Sequence, residues 1–410
     1  LVCGGIALAP AAQARKEEAK PTGPTLSPKF RTAAVAAQTA LQGTDLAAAD
    51  AALTQAEAAA STDDDKALAQ TFRVALESKK AVSMPGGTSP GLVSALDAAM
   101  TNPKLPKETL ARFTFARAQI AYNAKQYKDA LPLLVRARDA GFVDASLPLY
   151  IAQAKVETGD VAGGTADMQT AIKGEEAAGR KAPEGWYKYM ISHAFHANDM
   201  ASTDAWTRAW LAAYPTKENW RSAIYTFGFE GQAAKRLTDR QRVDLYRLMR
   251  ASNSLAGPRE WMDYAVYVNR VGLPNEAVTV INDGRKANII TASDSEAGIL
   301  LKTASSAVKA DKSLAAQEAS AKASSSGSLA AQAGDSYLGA QDYAKAAEMY
   351  RLALSKGVTD TDPVNLHLGI ALALAGNKAD AQTAFATMKG EPNIAIAKLW
   401  TVWLASPPAA

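Results

Sequence analysis

Two glycines, Gly334 and Gly369, stand 35 residues apart, and their surroundings repeat with them. Each is followed by a polar turn (Gln341-Asp342, Gly376-Asn377), then by a small residue (Ala346, Ala381) and an aromatic one (Tyr350, Phe385). The same rhythm runs earlier in the chain. Ala118, Ala130, Leu134 and Ala137 recur 34 residues on as Ala152, Gly164, Met168 and Ala171. A unit of this length holds two helices and a turn. It cannot bury its apolar face alone, so copies must stack on their neighbours.

Composition agrees. Of the 410 residues 48% are apolar but only 7% aromatic, because alanine is so abundant. Alanine has the best intrinsic helix propensity and lets helices approach closely. Period-two runs of Val, Ile and Thr, the mark of strands, are almost absent. The expected fold is all-α: a solenoid of stacked helix-turn-helix repeats with roughly ten helix pairs.

Further units run from about Phe30 (Ala37, Ala49, Leu53, Ala56), over 184–215 (Asn198-Asp199 at the turn) and over 258–287 (Trp261, Tyr264, Ala265, Gly272, Ala277, Gly284). The last two occupy 327–359 and 362–391. Segments 63–102, 218–255 and 293–323 are long enough for a helix pair each but match poorly, and read as degenerate copies. Asp63-Asp64-Asp65 suits a helix start, and Pro85-Gly86-Gly87 a loop. Ser324-Ser325-Ser326-Gly327 reads as a soft hinge. The expected organisation is therefore a signal remnant (1–14), a Pro-rich tether (15–29), a long array (30–323), a C-terminal pair with an apolar capping helix (327–404), and a tail (405–410).

These spacings resemble the tetratricopeptide repeat, whose thirty-four positions call for small residues where its helices cross. The resemblance implies a binding scaffold that recognises partners on its concave face through fixed first-helix positions. Carried onto this chain, those positions are Arg112, Phe115, Gln119, Tyr122 and Asn123, then Gln153, then Lys188 and Phe195, then Arg259, Met262, Asn269 and Arg270. Aromatic, amide and arginine side chains together suit an extended peptide. The family's carboxylate clamp is not reproduced, since Phe115 stands where a polar residue is needed. The stretch from Tyr214-Pro215 to Met249-Arg250 is also similar to exported repeat proteins of Gram-negative bacteria.

The first fourteen residues bear on compartment. Apolar residues run into Ala12-Gln13-Ala14, the small-x-small pattern of signal cleavage, with Arg15-Lys16-Glu17-Glu18 directly after. Cys3 is the only cysteine; cleavage after Ala14 leaves none, and Val2 is bulkier than the residue that usually precedes a lipidated cysteine. No stretch approaches the ~18 apolar residues that span a bilayer. A periplasmic protein without a membrane span is expected, its partner another protein or an envelope complex, with outer-membrane components among the candidates.

Nucleic acid is disfavoured by the balance of 45 basic and 41 acidic residues. The local excess between Lys217 and Arg250 reads as a solvated helix face. His193 and His196 share a helix side with Asp199 nearby, a weak zinc pattern lacking a defined third ligand. His367 stands alone on an apolar helix and reads as a surface or groove residue. No phosphate loop or nucleophile elbow occurs; neither cofactor nor catalysis is expected. Thr359-Asp360-Thr361-Asp362 reads as a helix cap. The aromatic cluster Trp186, Tyr187, Tyr189, Phe195, Trp206, Trp210, Tyr214 and Trp220 reads as core, or else as a sugar-stacking surface. The sequence thus points to a non-enzymatic protein-binding scaffold of the cell envelope. The alternative is a glycan-binding accessory of a polysaccharide or peptidoglycan system.

Overall fold

The structure, a computed structural model, describes residues 25–84, 87–230 and 235–408. The signal-like stretch, Cys3 and most of the expected tether lie outside the described residues. Among the described residues there are twenty-one helices and no strand. They fall into two compact units divided between Ala182 and Pro183.

The first unit holds four helix pairs: α1 (Pro28–Gln42) with α2 (Leu46–Ala59), α3 (Asp63–Ala81) with α4 (Pro90–Met100), α5 (Lys107–Asn123) with α6 (Tyr127–Asp139), and α7 (Leu147–Glu157) with α8 (Val161–Ala177). Side-chain caps set the starts, since the first N–H groups of a helix lack partners. Asp45, Ser89 and Asp160 cap α2, α4 and α8, and Thr62 with Asp65 forms a capping box at α3.

The second unit begins with α9 (Glu184–His196) and α10 (Met200–Ala213), then α11 (Lys217–Gly228) and α12 (Asp239–Ala251). Next come α13 (Pro258–Arg270), α14 (Pro274–Lys286), α15 (Ser295–Ala310) and α16 (Leu314–Ala323). The last two pairs are α17 (Ser328–Gly339) with α18 (Tyr343–Lys356) and α19 (Thr361–Leu374) with α20 (Lys378–Phe385); α21 (Asn393–Ala405) follows. The count is ten pairs and a final helix. The eighth pair is open: α15 packs on α13 and α14, α16 on α17 and α18. That explains the poor match over 293–323, whose two helices have no mutual crossing to demand small residues.

The repeat is visible in the backbone. Within six of the pairs the turn passes through a left-handed residue: Lys125, Gly159, Asn198, Gly272, Gln341 and Gly376, all with φ between 56° and 99°. Such a residue ends a helix by turning its last carbonyls back onto the chain. The crossings are tight. Ala130, Ala277, Ala346 and Ala381 are fully buried, and a Cβ on Gly334 would lie 2.6 Å from the Tyr350 ring. A Cβ on Gly369 would likewise run into Phe385. Replacing Ala346 with phenylalanine should therefore overpack the crossing and cost about 1–3 kcal/mol, measurable as a lower urea midpoint with unchanged helicity.

Two expected boundaries move. Helix α1 starts at Pro28, and Leu26 is buried with Phe30 in the first core. The buried Asp65 carboxylate accepts bonds from the N–H groups of Ser27, Ser61 and Thr62 and from the Ser27 hydroxyl at 2.8–3.1 Å. Burial alone would raise its pKa, but these donors hold it well below the usual carboxylate range. Its stabilisation is present above pH ~4 and lost as pH falls. Asp65→Ala should cost the first unit about 1–3 kcal/mol, because four part-buried hydrogen bonds and the capping box at α3 are lost together. A calorimetric scan at pH 7 checks this. The second move concerns Ser324–Gly327. It is no hinge between domains but lies inside the second unit, where Lys356 Nζ is held by the carbonyls of Ala321 and Lys322 at 2.7 Å and Gly327 N–H bonds Gly357.

Helix α21 does more than cap the last repeat. It packs on α19 and α20 and also on α10 and α12, so the second unit closes on itself. Trp403 Nε1 donates to Ala251 O at the end of α12 (3.2 Å), and Gln241 Nε2 to Asn393 Oδ1 (2.9 Å). Asp362 fixes the segment leading to α21 by accepting from the N–H groups of Lys389 and Gly390. Asp360 caps α19, as the sequence implies. Among the described residues no helix is long and apolar enough to cross a membrane.

Candidate functional site

In the first unit, α5 and α7 are the first helices of consecutive pairs, and their side chains meet. The Tyr122 hydroxyl donates to the Gln153 amide oxygen, and the Tyr122 ring centroid lies 4.5 Å from that of Tyr150. Arg112 and Gln119 are half-buried and Asn123 is exposed. Phe115 is a correction. It is only 5% exposed and stacks on Phe142 at 4.5 Å, in a core with Ala118, Leu134 and Ile151. Its ring fills the junction with the next pair, so it cannot reach a ligand.

In the second unit the projected positions scatter. Lys188 is occupied by Glu184 at 2.9 Å and by the Trp210 face. On α13, Arg259 is almost fully exposed, Met262 and Asn269 are half-buried, and Arg270 pairs with Asp239 at 3.4 Å over the Tyr267 ring. The sugar-stacking surface is absent as such: Trp186, Tyr187, Trp206, Trp210 and Trp220 are buried, with Tyr189, Phe195 and Tyr214 half-buried. His196 Nδ1 is engaged by Ser192 O at 2.7 Å, and among the described residues no third His, Cys, Asp or Glu joins it and His193.

His367 reverses the expectation for it. It is 7% exposed and bridges three helices, with Nε2 3.2 Å from Asp244 on α12 and Nδ1 2.8 Å from Asp335 on α17. Each ring nitrogen faces a carboxylate, so both carry protons. Burial would depress its pKa, but the two carboxylates outweigh that and push it up to about 9. Burial likewise opposes Asp335, yet His367, Arg247 and the Tyr350 hydroxyl hold it down at about 2. Asp244 also accepts from Arg247 (2.8 Å), which forks onto Glu276 (2.6 and 2.9 Å), itself bonded by Tyr264. With both imidazole nitrogens committed, this chain of charges is a clasp. It has no free position from which to move a substrate proton.

The basic stretch is a solvated face only in part: Lys217, Arg221, Lys235, Arg236 and Arg240 are exposed, whereas Arg247 is buried. Arg221, Arg240, Arg242, Arg247 and Arg250 pair with Glu260, Asp335, Asp239, Asp244 and Asp283.

A cleft of about 950 Å³ opens elsewhere in the second unit, between α10, α11 and α21. Its apolar lining includes Phe195, Ala223, Phe227, Leu237, Ala395 and Leu399, and its polar lining includes Asp204, Arg208, Arg236, Glu391 and Lys398. Of the projected residues only Phe195 reaches it. The others were missed because the cleft joins segments about two hundred positions apart. One signal was available: Lys398 is the sole charge in the otherwise apolar α21.

No protein-family model matches this sequence, and no curated protein matches it. Among solved structures, it is similar to the one titled "Structure of Naa15/Naa10 bound to HypK-THB" at 12% identity and a TM-score of 0.37. That match covers 92% of this chain and 62% of the other, so the chain spans under two thirds of that protein's length.

Proposed function

We propose that this chain is a non-enzymatic protein-binding scaffold that recognises a peptide segment of its partner. The observation that carries this reading is the meeting of Tyr122 and Gln153 across α5 and α7. Residues from consecutive repeats thereby form one polar and aromatic face, with Arg112, Gln119 and Asn123 alongside. Tyr122 and Tyr150 also pack against the core of this unit, whereas Gln119, Asn123 and Gln153 are polar and outside that core, so stacking does not require the amides. An amide-rich face offers donors and acceptors to an extended backbone, and its rings offer apolar contact. The buried aromatics of α9 to α11 favour this over glycan stacking.

The proposed location is the bacterial cell envelope, reached by export. The support is the small-x-small sequence at Ala12-Gln13-Ala14 ahead of a charged stretch. Protein recovered from cells should start after Ala14; an uncleaved chain confined to the cytoplasm would overturn export.

For binding, the purified chain serves as bait on an envelope extract, compared with a Gln119→Ala/Gln153→Ala variant. The variant should keep its circular dichroism spectrum and retain partners several-fold less well, since amide hydrogen bonds are each worth about 1 kcal/mol. Identical capture by both proteins would remove this face from recognition.

A further inference from the structure

We infer that the cleft between α10, α11 and α21 receives a short segment of a partner protein in which apolar side chains stand beside carboxylates. The inference rests on the scaffold reading and names the ligand class for a second surface. Its basis is which charges around the cleft are already used. Asp204 is held by Arg208 at 3.1 Å, and Glu391 caps α21 by accepting from Ala395 N–H at 3.2 Å. Arg236 and Lys398 are both exposed, and among the described residues neither has an ion-pair partner. The cleft therefore joins an apolar floor to a rim on which, among the described residues, cations outnumber acids, with Arg236 and Lys398 unpaired and Glu391 the one acid not already held by a cation. The half-buried Phe195, Met200 and Phe227 offer contact for apolar side chains, and the two cations offer charge-assisted hydrogen bonds to carboxylates. The chain's own fold leaves room for such a segment: 950 Å³ lies at the upper end of pockets built for ligands.

The test selects peptides from a displayed random dodecamer library on the intact chain. Enriched sequences should pair Asp or Glu with Leu, Ile, Phe or Trp, and their binding should weaken with salt. Arg236→Glu/Lys398→Glu should lower the affinity of a selected peptide at least about tenfold and shift selection toward Lys and Arg. Ala201→Trp, at an exposed position on the cleft wall, should abolish binding without altering charge. All three substituted positions are exposed, and circular dichroism confirms that the fold is kept. Selected peptides indifferent to both variants, or lacking acidic residues, would overturn the inference while leaving the scaffold reading intact. Self-association of the chain that Ala201→Trp removes would assign the cleft to a second copy and overturn it too. Failure to select any peptide, while partners are still captured through Gln119 and Gln153, would also sink the cleft alone. Failure of both experiments would sink the scaffold reading with it.

Discussion

Replacing Arg247 with methionine should destabilise the second unit by about 3–5 kcal/mol, the usual cost of removing one partner from a buried ion pair. Arg247 is 4% exposed and lies between Asp244 and Glu276. Its loss strands Glu276 inside, with only the Tyr264 hydroxyl left to satisfy it. The penalty comes from the orphaned carboxylate rather than from the missing attraction, and a second variant separates the two. Arg247→Met with Glu276→Met removes both charges and keeps apolar volume, so it should recover most of the lost stability. Asp244 still has His367 in that double variant. Urea denaturation followed at the tryptophans reads both effects. If the double variant is as unstable as the single one, the network contributes through specific geometry rather than through charge compensation.

The second large effect is a pH dependence centred on His367. Its folded-state pKa is raised from 6.5 to about 9. A group raised on folding contributes stability that is complete below its unfolded pKa, here about 6.5, and is lost as pH climbs through 9. The window is therefore alkaline. Between pH 6.5 and 10 the second unit should lose on the order of 3 kcal/mol, since each tenfold gain in proton affinity is worth about 1.4 kcal/mol. His367→Gln keeps some hydrogen bonding but does not titrate, so it should start less stable and show a flatter profile across that window. Equal slopes in the two proteins would mean that the imidazole is not the titrating group.

How much of this was legible in the sequence follows from how far apart the interacting residues lie. Crossings are local. Gly334 meets Tyr350 and Gly369 meets Phe385 within one repeat, so their spacing recurs and the helix pairs can be counted. Contacts between neighbouring pairs are harder to read. Phe115 seemed to face a groove because the repeat pattern assigns its position there, but Phe142, in the connection between α6 and α7, covers it. Contacts across the closed second unit leave no periodic trace. His367 lies 32 positions beyond Asp335, but its other partner, Asp244, sits on a distant helix. Those partners turn an isolated histidine into a buried cation. The apolar character of α21 showed that it must cap something. That it also packs on α10 and α12, and so forms the wall of a cleft, depends on the sum of all the intervening crossings.

The most direct measurement of the scaffold role is site-specific photo-crosslinking in living cells. A photoreactive side chain is placed at Asn123 on the α5 face and at Lys398 on the cleft rim, with exposed Lys173 on α8 and Lys309 on α15 as controls. A scaffold that recognises partners on these two surfaces yields discrete protein adducts at positions 123 and 398 and none at the controls. Adducts at neither test position, or equally at all four, would contradict it.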